Sequence, residues 1–462
     1  MSADLTRTKI TTTLDRPAGT QVAEAENEGK RTSLYGAIWR LHFYAGLLIA
    51  PILIWASITG TLYVFNPQIE DALYRQLYFV TPAGTPLSFD EQLAAVKQQH
   101  PDATIKQFVA KATPERTTQV VITPASHAGH GGGHDHGPPP DISVYVNPYT
   151  GAIVGTLAEA SRFKILLKNL HGNFMAGDNG RPIMELGASW LLILLISGVV
   201  LWFPRKKPGV WGVWLPRIKA GGRVFWRDLH TMGGLYLLPV VFVIVATGLT
   251  WSRFSGDIYK VTRDSLGQNI ALFGRFTSSP ANGRTPLTLN QVDDLVKAQG
   301  VTLPYTLTPP RDDKGTYRVL TADPIRFTEW RFMIIDQYSG ALVKNVTWND
   351  APFLMKLSIV GIPFHRGEFG LWNQLINTLA CVVIIGSVVS GVMMWWKRRP
   401  AGKLGAPKRV AIRSVPRWWI AMLIVFLLVL PTAGISLVLI LLVDRFVVQP
   451  LLRRQSTTLA GT

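Results

Sequence analysis

Apolar residues along the 462-residue chain gather into five runs, about 43–65, 183–203, 231–251, 372–396 and 418–443. Each is near or above the roughly 20 residues that cross a bilayer as a helix, the form that satisfies its own backbone polar groups in lipid. The polar stretches between the runs carry shorter periods. Phe89–Val96 has helical spacing, with Ser88 placed as N-cap and Glu91 completing a capping box. Val144-Tyr145-Val146-Asn147-Pro148-Tyr149-Thr150-Gly151-Ala152 reads as a strand running into a tight turn. A second stretch repeats the order with Thr285-Pro286-Leu287-Thr288, a helix over 289–298, and Met333-Ile334-Ile335-Asp336-Gln337-Tyr338-Ser339-Gly340-Ala341. Each stretch predicts a small α+β module.

The pattern therefore predicts a membrane α-helical bundle of four core spans plus a fifth, carrying two external α+β modules, with an internal duplication. A disordered cytoplasmic tail is expected over 1–33 and a first span within 34–65. The first module occupies 66–158, and an interfacial helix (around 159–175) with the second span occupies 159–203. A basic loop over 204–229, the third span within 230–251 and the second module over 252–350 come next. An interfacial segment with the fourth span fills 351–396, followed by a basic loop over 397–417, the fifth span over 418–443 and a tail over 444–462.

The formal charge of +18 speaks to orientation more than to partners. Arg205, Lys206, Lys207, Arg217, Lys219, Arg223 and Arg227 separate the second and third runs, with Asp228 the sole acid among them. Lys397, Arg398, Arg399, Lys403, Lys408, Arg409, Arg413 and Arg417 separate the fourth and fifth. The positive-inside rule puts both loops and the N-terminus in the cytoplasm, and residues 66–182 and 252–371 outside. Topogenic charge explains these loops with no nucleic acid as partner. Residues 1–33 lack an apolar h-region, so the first run is expected to be an uncleaved anchor. Cys381 is the one cysteine, read as a packing residue, and no C-x-x-C-H is present for covalent haem attachment.

Four histidines, His42, His171, His230 and His365, stand at the mouths of apolar runs in a doubled pattern. His42 is followed by Gly46, Pro51 and Thr59-Gly60; His230 is followed at the same offsets by Gly234, Pro239 and Thr247-Gly248. His171 leads into a run ending Ser197-Gly198, and His365 into one ending Ser390-Gly391. The topology pairs His42 with His230 on the cytoplasmic side and His171 with His365 outside. Paired imidazoles at bilayer edges are suited to holding metal cofactors. Gly46 shares a helix face with His42, and Gly60 returns to that face five turns later, 18 residues on. Gly234 and Gly248 repeat this for His230, while Gly198 and Gly391 come level with the inner histidines. All six glycines are candidates for packing around a flat cofactor, against the plainer alternative of helix–helix packing. Arg181 and Arg366, with Arg162 and Lys168, lie near the outer histidines as candidate partners for propionates or an anionic substrate, and Arg40 and Arg227 near the inner ones; interfacial snorkelling is the plainer alternative.

The strand–turn sequence at 144–151, the Leu-His-headed spans and the duplication together resemble PepSY domains joined to the PepSY-associated transmembrane helix family, over about residues 34–400. The resemblance implies a bacterial inner-membrane reductase with periplasmic modules. It also implies b-type haem, two groups with bis-histidine ligation, iron reached through His42 and His230 inside and through His171 and His365 outside. The implied activity is reduction of a periplasmic ferric complex, such as a ferric siderophore, with electrons from quinol or a cytoplasmic reductase. The chain departs from the pattern in Pro363-Phe364 before His365, where the first copy has Asn169-Leu170, and in an insertion, His-Ala-Gly-His-Gly-Gly-Gly-His-Asp-His at 127–136. There His127, His130, His134 and His136 are candidate ligands for zinc, copper or nickel. Two other functions fit parts of the chain. One is a metal-uptake accessory or transporter using that loop, against which stands the scarcity of acids in the spans. The other is a PepSY-type sensory or inhibitory module. No H-E-x-x-H motif and no glycine-rich dinucleotide fingerprint is present.

Overall fold

The computed structural model describes residues 18–125, 140–203, 210–272, 274, 276–321, 323–400, 417–443 and 446. Three of its helices are long and apolar enough to cross a membrane: Tyr35–Val64, Gly177–Trp202 and Leu371–Arg398. They belong to α1 (Ala18–Val64), α6 (Arg181–Trp202) and α12 (Leu371–Arg398). α7 (Gly222–Tyr236) and α8 (Leu238–Leu249) reach that length and apolarity only as a pair, bent by 61°, which makes a fourth crossing if the pair is taken as one span. Their shared core joins Ile49, Leu53, Trp190, Leu192, Val241, Val245 and Ala380. Small residues bring the helices close: a Cβ at Gly187 of α6 would lie 2.4 Å from Ile52 of α1.

Three expectations about these helices are corrected. The predicted tail over 1–33 is helical from Ala18, because residues 18–33 are rich in good helix formers such as Ala, Glu and Lys. The third span predicted as one helix within 230–251 is broken at Leu237, ahead of Pro239, which has no N–H to donate. Pro51, at the same offset in the first span, sits inside an unbroken α1. The predicted fifth span over 418–443 is two helices, α13 (Arg417–Val429) and α14 (Pro431–Val443), interrupted where Pro431 enters. Neither half alone reaches bilayer length. α14 lies against α6, with Thr432 bonded to Ser189 at 3.2 Å and Ser436 accepting from Trp190 Nε1 at 2.9 Å.

The two predicted α+β modules are one body. The first half supplies α4 (Phe89–Gln99) and strands β1 (Thr104–Ala110), β2 (Thr118–Thr123), β3 (Ile142–Val146) and β4 (Ile153–Ala158). The second supplies α10 (Leu289–Ala298) and β5 (Tyr305–Thr308), β6 (Thr316–Thr321), β7 (Arg331–Asp336) and β8 (Leu342–Thr347). All eight strands form a single antiparallel sheet in the order β4-β3-β2-β1-β5-β6-β7-β8. β1 pairs with β5 at the centre, Phe108 opposite Leu307 and Ala110 opposite Tyr305. This pairing removes two exposed sheet edges that separate modules would have left. One apolar core runs through both halves, from Val96, Phe108 and Ile122 to Val296, Leu307 and Ile335.

Local chemistry explains the helix starts. Ser88 and Glu91 form a capping box on α4, and Thr288 and Gln291 form one on α10. The Asp90 carboxylate accepts from the backbone N–H groups of Leu289 and Asn290, at 2.8 and 3.3 Å, while the Asn290 amide oxygen accepts from Asp90 N at 3.2 Å. Each half thus caps the other's helix.

The far face of the sheet meets the membrane helices. Phe332, Ile334 and Val346 pack against Met355 of α11 (Phe353–His365). In the first half, α2 (Asn66–Leu73) and α3 (Arg75–Tyr78) continue from α1, and Tyr78 packs on Tyr145 of β3 with ring centroids 5.2 Å apart. Buried Glu70 of α2 pairs with Arg162 at 2.8 Å and accepts from Lys164 N at 3.1 Å, fixing the start of α5 (Phe163–Asn173). Glu185 of α6, 1 % exposed, accepts from Phe254 N, Ser255 N and Ser255 Oγ, and so holds the start of α9 (Ser255–Ser265). Both helices that end in a candidate histidine, α5 and α11, are therefore tied to the sheet region.

The two strand-turn motifs close alike. Asn147 accepts from Tyr149 N, and Gly151 takes φ +72°. Asp336 accepts from Tyr338 N, Ser339 N and Ser279 N, and Gly340 takes φ +70°. Burial works against the Asp336 charge, but these N–H donors hold its carboxyl well below the usual carboxylate range. Asp336→Ala is expected to cost on the order of 1–3 kcal/mol, whereas Asp336→Asn, the residue type the first half uses at Asn147, costs less. Because the folded-state pKa is depressed, the carboxylate's contribution is full above its unfolded pKa of about 3.9 and is lost as pH falls below it. Thermal unfolding of the two variants from pH 7 downward checks this; an Asp336→Ala protein as stable as wild type would refute it.

Candidate metal centres

Local sequence puts each histidine at a helix position that faces another helix. His42 lies on α1 and His230 on α7; His171 lies in the last turn of α5, and His365 ends α11. The structure brings them together in two pairs. His42 and His230 have ring centroids 6.1 Å apart, and so do His171 and His365. Two imidazoles that ligate one metal from opposite sides, each at about 2 Å, place their centroids roughly 6 Å apart. The interplanar angles are 81° and 59°, and both are compatible with rings free to rotate about a common ligation axis.

Each ring is oriented by a bond to its Nδ1. His230 Nδ1 donates to the Ser387 carbonyl at 2.9 Å, and His365 Nδ1 to the Ile244 carbonyl at 2.7 Å. A carbonyl only accepts, so both rings carry the proton on Nδ1. His42 Nδ1 lies 2.8 Å from Ser197 Oγ, and His171 Nδ1 lies 3.1 Å from Thr59 Oγ1. Those hydroxyls already donate to the Ile193 and Trp55 carbonyls, each at 2.7 Å, so they accept from the imidazoles. All four rings thus present a bare Nε2, the arrangement of a metal-ligating histidine with a fixed tautomer.

The glycines divide into two groups. A Cβ at Gly60 would lie 3.2 Å from His171 Cε1, and one at Gly248 would lie 2.9 Å from His365 Cε1. At Gly198 and Gly391 it would lie 3.5 and 3.8 Å from Cε1 of His42 and His230. These four seat the imidazoles themselves. Gly46 and Gly234 instead line a cavity of about 430 Å³ with His42, His230, Gly198 and Gly391. Most of its wall is apolar, including Leu53, Leu191, Leu194 and Val241, and its charged lining residues are Arg223, Arg227 and Arg398. Gly60 stands 18 residues beyond His42 on α1, so the pairs lie at opposite ends of the bundle, roughly 27 Å apart along that helix.

Among the described residues no group of three His, Cys, Asp or Glu converges. Each pair supplies two ligands, fewer than a protein-only zinc site uses. At the His42–His230 pair, two imidazoles 6.1 Å apart, glycines and an apolar cavity fit a metal that brings its other ligands in a flat macrocycle, which is the chemistry of haem; the His171–His365 pair repeats the imidazole spacing and the glycine contacts.

The other candidates fall as follows. Arg181 bonds to Asp178 at 3.4 Å and to the Trp251 carbonyl at 3.2 Å, and Arg366 bonds to Glu368 at 3.0 Å. Both are engaged by the protein. Arg162 is taken by Glu70 and Glu159. Arg227 lines the cavity. Cys381 packs beside Gly60. His127, His130, His134 and His136 lie outside the described residues.

The chain is a multi-pass membrane protein. It belongs to the PepSY-associated TM region family, which it matches over residues 39–398, a span that contains all four paired histidines. No curated protein matches it.

The hydroxyl and amide partners went unread in the sequence. The Ser/Thr-Gly pairs were visible as spacing, and the structure gives the hydroxyls of Ser197 and Thr59 their role. Thr247 breaks the pattern: its hydroxyl bonds back to the Val243 and Ile244 carbonyls, and His365 uses the Ile244 carbonyl directly. Asn373, Gln374 and Asn377 are buried near the start of α12. Asn377 Nδ2 donates to the Phe364 carbonyl at 2.7 Å and to that of His365 at 3.2 Å, and Asn373 Nδ2 reaches Phe364 at 3.1 Å. The amides pin the end of α11 where its ligand sits; three amides in an otherwise apolar span were the available signal. Asn377→Ala should lower the melting temperature, at a cost on the order of 1–3 kcal/mol for carbonyls left unbonded in an apolar setting. Thermal unfolding in detergent measures this, and an unchanged transition would mean that other contacts hold His365.

Proposed function

We propose that this protein is a di-haem b oxidoreductase of the bacterial inner membrane that carries electrons across the bilayer and reduces a periplasmic ferric complex, a ferric siderophore foremost, releasing Fe(II). The single observation that carries this reading is the opposition of two histidines with bare Nε2 atoms at 6.1 Å centroid spacing at each end of one bundle. Haem bound at the two pairs would supply one-electron Fe(III)/Fe(II) chemistry at two depths in the membrane.

The chain's own residues hold and shield these positions. Each Nε2 is aimed by the Nδ1 bond behind it, to Ser197, Thr59, Ser387 or Ile244. Apolar side chains such as Leu53, Leu191 and Val241 keep water from the His42–His230 cavity. Arg223, Arg227 and Arg398 at that cavity favour the cytoplasmic face for it under the positive-inside rule. The His171–His365 pair is then the periplasmic one, attached through α5 and α11 to the sheet. Electrons enter from quinol or a cytoplasmic reductase. A ferric substrate that gains one electron becomes Fe(II), which hard oxygen ligands hold more weakly. The two halves are read as copies of one unit, since Asp90 and Asn290 occupy matching capping positions and the histidine pairs repeat.

Oxidised and dithionite-reduced absorbance spectra of the purified protein test the proposal, which predicts a bis-histidine haem b signature. His42→Ala or His230→Ala is expected to remove one haem, and His171→Ala or His365→Ala the other. Either loss should abolish reduction of an external ferric chelate by membrane vesicles. A haem-free preparation from haem-replete cells, or full haem content in all four variants, would falsify the assignment.

A further inference from the structure

Charge alone marks the stretch between α6 and α7 as a loop in water, yet its described part, 210–221, turns a run of apolar side chains outward. Val210, Trp211, Trp214, Leu215 and Ile218 are all exposed, Trp211 by 65 % and Ile218 by 69 %. A patch of this kind facing water is one that soluble surfaces avoid. The segment has its own fold. Trp214 N and Leu215 N donate to the Val210 carbonyl at 2.9 and 3.1 Å, and Gly212 N donates to that of Leu215 at 2.7 Å. It is fastened to the membrane helices at Trp202, Tyr236 and Asp228. Trp202, which ends α6, donates its Nε1 to the Val213 carbonyl at 3.1 Å and meets the Trp214 ring edge-on, centroids 5.2 Å apart. Tyr236, which ends α7, donates its hydroxyl to the Trp214 carbonyl. Arg217 donates to the buried Asp228 carboxylate from Nε, Nη2 and its backbone N, at 2.8, 3.0 and 3.0 Å. The segment therefore runs back along α7, and its two anchors there, Asp228 and Tyr236, bracket His230.

Its depth follows from what α7 touches. His230 donates from Nδ1 to the Ser387 carbonyl of α12, and a Cβ at Gly233 would lie 3.3 Å from Val383, close to the middle of the 28-residue α12. One turn short of Tyr236, α7 is thus already deep in the bundle. A helical side chain covers the turn N-terminal to its own Cα, so the Tyr236 hydroxyl meets Trp214 nearer the level of His230. From the other side, Ser197, the partner of His42, lies five residues before Trp202, about 7.5 Å along α6. Both routes put Trp214 close in depth to the inner histidine pair, at the edge of the hydrocarbon. Non-helical backbone is stable there only if the protein bonds its polar groups, and the carbonyls of Val210, Val213, Trp214 and Leu215 are all bonded. Lys219 and Arg223 stand exposed where the segment leads into α7.

We propose that 210–221 is an interfacial lobe sunk in the bilayer beside His42 and His230, its partner the lipid itself. Trp211, Trp214, Leu215 and Ile218 face acyl chains, the tryptophans at the depth where their rings are favoured, and Lys219 and Arg223 meet anionic headgroups. Trp202 and Arg227 line the cavity beside the two histidines, so lipid, rather than the aqueous phase, lies outside that wall. The lobe needs no haem for this, and the inference stands apart from the function proposed above. A soluble carrier protein covering the patch is the competing occupant. The bilayer is favoured because the patch is continuous with the crossing helices to which it is bonded, at the depth of their histidines.

The test uses the full-length protein with Cys381→Ala, which leaves no native thiol, in vesicles of phosphatidylethanolamine with phosphatidylglycerol. A spin label is placed through Trp211→Cys or Ile218→Cys; neither side chain makes the ties to Trp202, Tyr236 or Asp228. Val382→Cys, exposed on a crossing helix, and Lys97→Cys, exposed on α4, serve as lipid and water references. Collision with oxygen, which concentrates in lipid, is compared with collision with a water-soluble nickel chelate. The lobe labels should follow Val382, keeping the oxygen collisions and losing most of the nickel collisions that the Lys97 label shows. Replacing phosphatidylglycerol by phosphatidylcholine, or adding Lys219→Gln and Arg223→Gln, should shift them toward the water reference. Nickel collision equal to that at Lys97 would overturn the proposal, and so would shielding from both reagents, which would put protein over the patch. Labels that ignore the headgroup charge would overturn the role of Lys219 and Arg223. A second measurement needs no variant. A carbene probe carried in the lipid tails should label peptides from 210–221 of the wild-type protein, and a water-soluble carbene should not; the reverse pattern would also overturn the proposal.

Discussion

Four imidazole rings in the bundle each lie against a glycine of a neighbouring helix, two of them closer than a Cβ there would comfortably allow and two at ordinary contact distance. Gly60 receives His171, Gly248 receives His365, Gly198 receives His42 and Gly391 receives His230. At Gly248 even a methyl group would sit 2.9 Å from the ring, closer than unbonded carbons tolerate. Because the rings can approach, their Nδ1 atoms reach hydroxyls and carbonyls on the helix that seats them, and the bare Nε2 atoms are left for a ligand. The helices are held at the separation these seats require by Ile49, Leu53, Trp190 and Val245 in the common core. A Cβ at Gly248 or Gly60 would press on His365 or His171 and so on the pair they form.

The extramembrane part obeys a different constraint. Two four-stranded sheets would each present an open edge, and pairing β1 with β5 closes both at once. The reciprocal caps of Asp90 and Asn290 depend on the same juxtaposition, as does the core that runs from Val96 to Ile335. Through Met355 on one side and Tyr78 on the other, the fused sheet bears on the two helices that end in His365 and lead to His171. The histidine pair at that end is thereby coupled to a rigid body, while the other pair opens into a cavity edged with arginine.

Much of this was legible where the signal is local. The capping boxes at Ser88 and Thr288, the strand-turn closures at Gly151 and Gly340, and the three long apolar helices follow from spacing within one element. The partnering of His42 with His230 followed from repeat offsets combined with charge topology. Pro239 and Pro431 were visible, yet whether a proline breaks its helix depends on what surrounds the freed carbonyl, and Pro51 does not break α1. The buried amides Asn373 and Asn377 read as ordinary polar residues until their carbonyl partners on α11 were in view.

By itself the sequence determined which residues are apolar, how often they recur and where the histidines and glycines stand, because periodicity and turn chemistry act within a few residues. Only the tertiary structure decided that glycines of one span seat histidines of another, that Ser197 and Thr59 fix two rings while backbone carbonyls fix the others, and that two modules share one sheet. Those contacts join residues more than a hundred positions apart. Their free energy depends on close approach and complementary hydrogen bonding between elements, and no local pattern in the chain encodes that.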